Sequence, residues 1–303
     1  MNKTSFAQAQ PVSFTGCHDN ILRGEIYRGD TGKPPVLLAH GGGQTRHSWK
    51  GTAAQLAAAG YTAVIIDQRG HGDSDWQPDG FYDFAHFAAD LREVASQLFA
   101  QFARRPVIVG ASLGGIAALL AEGEDHGHDH FSAIVLVDIT TRLRREGVEK
   151  ILGFMGEKAN EGFASLEEAA DAIAAYLPHR PRPQSLDGLA KNLRRGADGR
   201  YRWHWDPAFI RRAGPDADFQ AHNSRMDAAA RQVAAPLLLV RGRESELVSE
   251  ADAAHLLSLI PGAQYVDVSG AGHMIAGDRN DVFTDAVMDF LRKLPAPRAQ
   301  NTP

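Results

Sequence analysis

The chain has 303 residues, 44% of them hydrophobic, which suffices for one large core with a modest insertion and argues against two independent domains. Its formal net charge is −5 and its basic residues are scattered, unlike the clustered basic surface that a nucleic-acid partner requires. No apolar h-region follows Met1, no run approaches the length of a membrane span, and Cys17 has no second cysteine to pair with; a cytoplasmic protein without membrane contact or disulfide is expected.

In chain order, Val12 to Thr15 and Ile21 to Tyr27 read as an opening hairpin. The apolar run Pro35 to Ala39 ends in His40-Gly41-Gly42-Gly43, where missing side chains let backbone N–H groups face a bound oxygen, so Gly42 is an expected oxyanion donor. A strand at Thr62 to Ile66 leads into Asp67-Gln68-Arg69-Gly70-His71-Gly72-Asp73-Ser74, in which Asp67 and Arg69 are expected to brace loops. His47 and His71 flank these loops and are placed near the mouth of the site. Phe84, Phe87, Ala88, Leu91, Val94 and Leu98 recur at helical spacing and belong to the core.

The strongest local signal is Gly110-Ala111-Ser112-Leu113-Gly114, between the apolar run Pro106 to Val109 and the helix-prone Ile116 to Leu120. Such a G-x-S-x-G turn strains the backbone at the serine and exposes its hydroxyl, which marks Ser112 as a nucleophile and the Leu113 N–H as a second oxyanion donor. Asp125, His126, His128, Asp129 and His130 follow in an acidic, histidine-rich stretch. Alternate histidines on an extended chain could hold zinc or nickel weakly, but the sheet's opposite end is the expected location, and a solvated loop without metal is the better reading.

After the strand Ala133 to Asp138 the alternation breaks, and residues 141–232 read as a cap inserted into a core formed by 1–140 and 233–303. Helical pieces are expected around Ile151 to Phe154, Ser165 to Leu177 and Leu186 to Arg195, with Pro178, Pro181 and Pro183 as breaks. Of the aromatics Tyr201, Trp203, Trp205 and Phe209, Trp203 and Trp205 are candidates to line a substrate pocket; the competing reading is that they anchor the cap.

The buried-strand pattern Pro236 to Gly242 runs into Arg243-Glu244-Ser245-Glu246 and brings a carboxylate to a strand end. Ser249, with an acid three residues on, reads as a helix cap. The strand Gln264 to Val268 precedes Gly270-Ala271-Gly272-His273, which makes His273 the candidate base. A helix from Asp281 to Leu294 closes the fold before a tail, Pro295 to Pro303, of disordered composition.

These residues, in this order, resemble the α/β-hydrolase superfamily over nearly the whole chain. Asp67 to Ser74 is similar to the D-x-R-G-x-G-x-S segment of its esterases, lactonases, carbon–carbon hydrolases, perhydrolases and epoxide hydrolases. His40-Gly41 with Trp49, and Gly272-His273-Met274 followed by Asp278, look like the same branch. The resemblance implies a mostly parallel eight-stranded sheet, helices on both faces and a helical cap after strand 6. It also implies a triad of Ser112, His273 and an acid, for which Glu246 occupies the usual place, Asp138 is the alternative used by some relatives, and Glu244 is a near neighbour. The expected activity is hydrolysis of a small-molecule carboxylic ester through an acyl-enzyme, with no cofactor. Lactone, carbon–carbon or peroxide chemistry on the same triad, or a non-catalytic ligand receptor, are the alternatives; a homo-oligomer is possible.

Overall fold

The computed structural model describes residues 8–30, 32–125, 127, 129–178, 185–211, 218–273 and 280–295. Expectations for His126, His128, Pro181, Pro183, Met274, Asp278 and residues 296–303 fall outside them. Among the described residues no helix is long and apolar enough to cross a membrane.

An eight-stranded sheet organises the chain. Strands β1 (Gln10–Thr15) and β2 (Ile21–Tyr27) form the expected antiparallel hairpin, and β2 runs antiparallel to β4 (Ala63–Ile66). The pairings of β4 with β3 (Val36–Ala39), β3 with β5 (Val107–Ala111) and β5 with β6 (Ala133–Val137) are parallel. The small hairpin strands β7 (Leu193–Arg195) and β8 (Tyr201–Trp203) stand apart, and the parallel run resumes through β9 (Leu237–Gly242) and β10 (Gln264–Val268).

Continuous apolar runs in the central strands reflect burial on both faces. Leu37, Ile108, Ile134, Leu136, Leu237 and Leu239 face a core shared with helices α2 (Phe84–Phe102) and α3 (Leu113–Gly123). Their neighbours Leu38, Val107, Val109, Val135, Leu238 and Val240 face the opposite layer, with α1 (Lys50–Ala58) and the C-terminal helix α10 (Asn280–Lys293). Parallel strands all end on one edge, so the loops after β3, β4, β5, β6, β9 and β10 gather there.

Between β6 and β9 lie α4 (Arg145–Glu157), α5 (Leu166–Tyr176), the short α6 (Asp187–Ala190), the β7–β8 hairpin, α7 (Ala208–Arg211) and α8 (Phe219–Gln232). Most of this stretch packs around its own apolar cluster of Met155, Phe163, Leu193, Trp203 and Trp205, whereas α8 turns Met226, Ala229 and Ala230 into the main core. The helix expected over Leu186 to Arg195 stops after α6, because Asp198-Gly199 makes a hairpin turn in which Gly199 adopts φ +79°. The hairpin is fixed to the main fold by main-chain bonds from Gly72 N–H to His204 O (2.7 Å) and from Asp206 N–H to Gly70 O (2.7 Å). Ser249 caps α9 (Glu250–Leu259) in a reciprocal box with Asp252, as the sequence indicates.

One close backbone approach in this frame is at Gly114, where a Cβ would lie 2.5 Å from the Ala39 carbonyl oxygen on β3. Gly114→Ala should therefore destabilise by about 1–3 kcal/mol in urea titration. Gly153→Ala, at an open helical position with nothing within 4 Å, should instead be neutral or gain up to about 1 kcal/mol. Equal effects of the two variants would contradict this packing.

Candidate active site

β5 ends at Ala111 and α3 begins at Leu113, so the single residue Ser112 turns the chain, at φ 46° and ψ −110°. This left-handed, sparsely populated backbone is held by a bond from the Ser112 N–H to Val137 O (3.2 Å) and by Ile116 N–H donating to Ser112 O (2.9 Å). Glycines on either side permit it: a Cβ on Gly110 would sit 2.5 Å from the Gly114 backbone. Leu113 opens the helix, so its N–H is one of the orphan donors of a helix N-terminus.

The loop after β3 lies against this turn, and a Cβ on Gly41 would be 3.4 Å from Ser112 Cβ. Gly41 N–H donates to Gln44 Oε1 (3.0 Å) and Gly43 N–H to His71 Nε2 (3.1 Å). Between them, the Gly42 N–H has no acceptor among the described residues.

The acid that meets His273 is Asp138, not Glu246. Asp138 is fully buried one residue beyond β6, in the left-handed region at φ 49°, a conformation aspartate tolerates better than most residues. Its Oδ2 accepts from His273 Nδ1 (2.7 Å) and from Ser245 Oγ (2.5 Å), and its Oδ1 accepts from the Gly242 N–H (2.9 Å). Glu246 fails to reach because the chain turns back immediately after β9, with Ser245 N–H on Gly242 O (3.0 Å), and sends the Glu246 carboxylate outward to Lys150 of α4 (2.6 Å). Glu244 is exposed as well. The signal for Asp138 was its place directly at a strand end on the edge that carries Ser112; Ser245 had no sequence signal.

Two further histidines stiffen the floor of the site rather than lining its mouth. His40 and His71 are completely buried. His40 Nδ1 donates to Gly41 O (2.8 Å) and its Nε2 accepts from Gln68 N–H (3.0 Å), while His71 Nδ1 donates to Arg69 O (2.9 Å). Both rings thus tie the oxyanion loop to the loop after β4. Burial lowers His40 from 6.5 to about 4 and His71 from 6.5 to about 3, so each imidazole is neutral. Asp67 accepts from the Arg46 and Asp73 backbone N–H groups and pairs with the Arg46 guanidinium, and Arg69 forms a bidentate pair with Asp90 of α2 (2.7 and 2.6 Å). Both side chains are structural braces. His47 is half-buried beside Glu25.

Trp203 and Trp205 are 8% and 2% exposed and pack within the insertion's own cluster, Trp203 edge-on to Phe154 and Phe163. The insertion meets the glycine loop after β3 through Met155, Trp205 and Phe209, with Trp205 Nε1 3.8 Å from where a Gly43 Cβ would be. A Cβ on Gly42 would lie 3.3 Å from the Phe209 ring, and one on Gly43 would lie 2.9 Å from the Met155 methyl. Met155 carried no signal in the sequence, since one methionine in a helical pattern looks like core. In the acidic loop, His130 pairs with Asp125 (2.8 Å), and no group of three potential metal ligands exists among the described residues.

A strained serine at a strand-to-helix turn, glycine amides beside it and a carboxylate–imidazole pair share one edge of a doubly wound α/β sheet, the arrangement expected of a hydrolase. The alpha/beta hydrolase family model matches residues 36–286, and the chain belongs to that family and is a hydrolase. It is 31% identical over 269 residues to Esterase Rv0045c of Mycobacterium tuberculosis, covering 85% of this chain and 83% of that one. It is 28% identical over 234 residues to the 2-(acetamidomethylene)succinate hydrolase of Mesorhizobium japonicum, covering 76% and 78% of the two chains. A crystal structure of an alpha/beta hydrolase from Novosphingobium aromaticivorans aligns with a TM-score of 0.75 at 25% identity, over 94% of this chain and 99% of that one.

The two buried histidines give the fold an acid sensitivity of known sign. Their folded pKa values lie below the unfolded value of 6.5, so the unfolded chain binds more protons, and stability is present above that value and lost as pH falls toward about 4. Each contributes a slope of about 1.4 kcal/mol per pH unit in that window. Urea titrations across the window should therefore show a shallower pH dependence for His71→Gln than for the wild type. An unchanged slope would contradict a neutral, buried His71.

Proposed function

We propose that the chain hydrolyses carboxylic esters of small or medium acyl compounds through an acyl-enzyme on Ser112, with His273 as base and Asp138 as the acid. The observation that carries this reading is the His273 Nδ1–Asp138 Oδ2 bond of 2.7 Å at the edge where Ser112 is held. A serine hydroxyl is a weak nucleophile at neutral pH and needs a base whose tautomer is fixed. Asp138 engages Nδ1 and leaves Nε2 of His273 to take the Ser112 proton as the hydroxyl oxygen attacks the acyl carbon.

Negative charge then grows on the former carbonyl oxygen. The N–H groups of Leu113 and Gly42 are the donors suited to it, and losing one such donor costs about 2.7–4 kcal/mol of barrier. His273 returns the proton to the departing alcohol, accepts another from water, and the acid leaves with Ser112 restored. The Phe209 ring and Met155 methyl beside Gly42 and Gly43 support an apolar acyl group. The identity to named esterases and hydrolases supports the reaction class.

Ser112→Ala should remove nearly all hydrolysis of p-nitrophenyl butyrate, and a fluorophosphonate should label Ser112 alone in the wild type. Retained kcat, or label on another residue by mass spectrometry, would overturn the nucleophile.

Asp138→Asn should lower kcat by up to about 10⁴ because the amide favours the wrong imidazole tautomer, whereas Glu246→Gln should stay close to wild type. The reverse ranking, in variants with native thermal unfolding, would return the acid to Glu246.

A further inference from the structure

We propose that Ser245 is a positioning residue for the reaction, whose hydroxyl fixes the Asp138 carboxylate and through it His273. The inference rests on the triad reading above, and it concerns a residue on the turn that carries no acid to the site.

The hydrogen-bond inventory of Ser245 leaves its proton one direction. Its Oγ accepts from the Leu247 N–H (3.1 Å) and the Val248 N–H (3.2 Å), which occupies both lone pairs. The hydroxyl hydrogen is thereby aimed at Asp138 Oδ2, 2.5 Å away. That oxygen is the one His273 Nδ1 binds, so Ser245 and His273 share an acceptor. With Gly242 N–H on Oδ1, the carboxylate is held at both oxygens and cannot rotate about its Cβ–Cγ bond without losing a bond.

The turn that carries Ser245 is itself clamped from both sides. Glu244 N–H donates to Ala271 O (3.0 Å) and Arg243 N–H to Val268 O (3.0 Å), which ties it to the loop bearing His273. On its far side Leu247 packs under α4, where a Cβ on Gly147 would lie 2.3 Å from Leu247 Cδ2. The turn that in the sequence looked like the source of the acid thus serves the acid on β6.

Sharing the oxygen has a consequence for proton affinity. A donor on a carboxylate disperses its charge, so Ser245 weakens the pull of Asp138 on the imidazolium. Among the described residues, the other charged groups on β9, the turn after it and the facing strand and helix have partners of their own or face solvent. Glu246 pairs with Lys150 of α4, Arg241 and Arg243 pair with Asp267 of β10, and Glu244 is exposed. Removing the hydroxyl should therefore raise the proton affinity of His273 while loosening its orientation.

The test compares wild type, Ser245→Ala and Ser245→Thr in full pH–rate profiles with p-nitrophenyl butyrate, alongside titration of ¹⁵N-labelled imidazole by NMR, which needs no turnover. Ser245→Ala should lower plateau kcat about tenfold with KM nearly unchanged. The acidic limb of its profile and the NMR midpoint of His273 should both move to higher pH. Ser245→Thr should restore all three. An unmoved His273 midpoint in a folded Ser245→Ala overturns the proposal, including when kcat falls, since that fall would be a packing defect. Should Ser245→Ala not fold, a Ser245→Thr protein with a displaced His273 midpoint overturns it as well. Failure of the triad reading is separate: it appears as an active Asp138→Asn, whatever Ser245 does to the imidazole.

Discussion

A carboxylate removed from water must be satisfied by donors, and the site depends on how Asp138 meets that requirement. It accepts from a main-chain N–H at the end of β9, from a side chain on the following turn and from the imidazole on the loop after β10. Three consecutive segments of the edge are therefore registered by one side chain. The left-handed backbone at Asp138 and at Ser112, on adjacent strand ends, completes the arrangement, because each turn aims a side chain off the sheet rather than along it.

A second layer of neutral polar groups lies beneath. His40 and His71 give the glycine loop after β3 fixed bonds from neutral rings. The Arg69–Asp90 pair and the Arg46–Asp67 pair lie further out, where they fasten the loop after β4 to α2 and to the segment before α1. Burying polar groups is costly unless they are matched, and here His40 and His71 find matches on the main chain of the loops while Arg69 finds its match in the Asp90 carboxylate.

Much of this was legible in the residues. The turn at Ser112, the glycine loop at 40–43 and the places of the strands along the chain were readable because they follow from local backbone demands: small residues where chains approach, apolar runs where strands are covered on both faces. The carboxylate partner of His273 was not, since Glu246 and Asp138 both follow strands, and which one meets the imidazole depends on the direction in which the chain leaves β9. That direction is set by a turn bond between Ser245 and Gly242. The surroundings of the tryptophans were not legible either: the pattern places Trp203 and Trp205 in the insertion without orienting their side chains, and the structure packs both in its apolar cluster.

The attachment of the insertion through Gly72–His204 and Asp206–Gly70 is made main chain to main chain. Bonds of that kind do not read side chains. The docking of the hairpin is accordingly indifferent to most of the residues that form it, while the contacts over the glycine loop after β3 are made by the particular side chains of Met155, Trp205 and Phe209. Mutational drift can then rewrite what the insertion presents to a substrate without detaching it, which separates the evolution of selectivity from the maintenance of the fold.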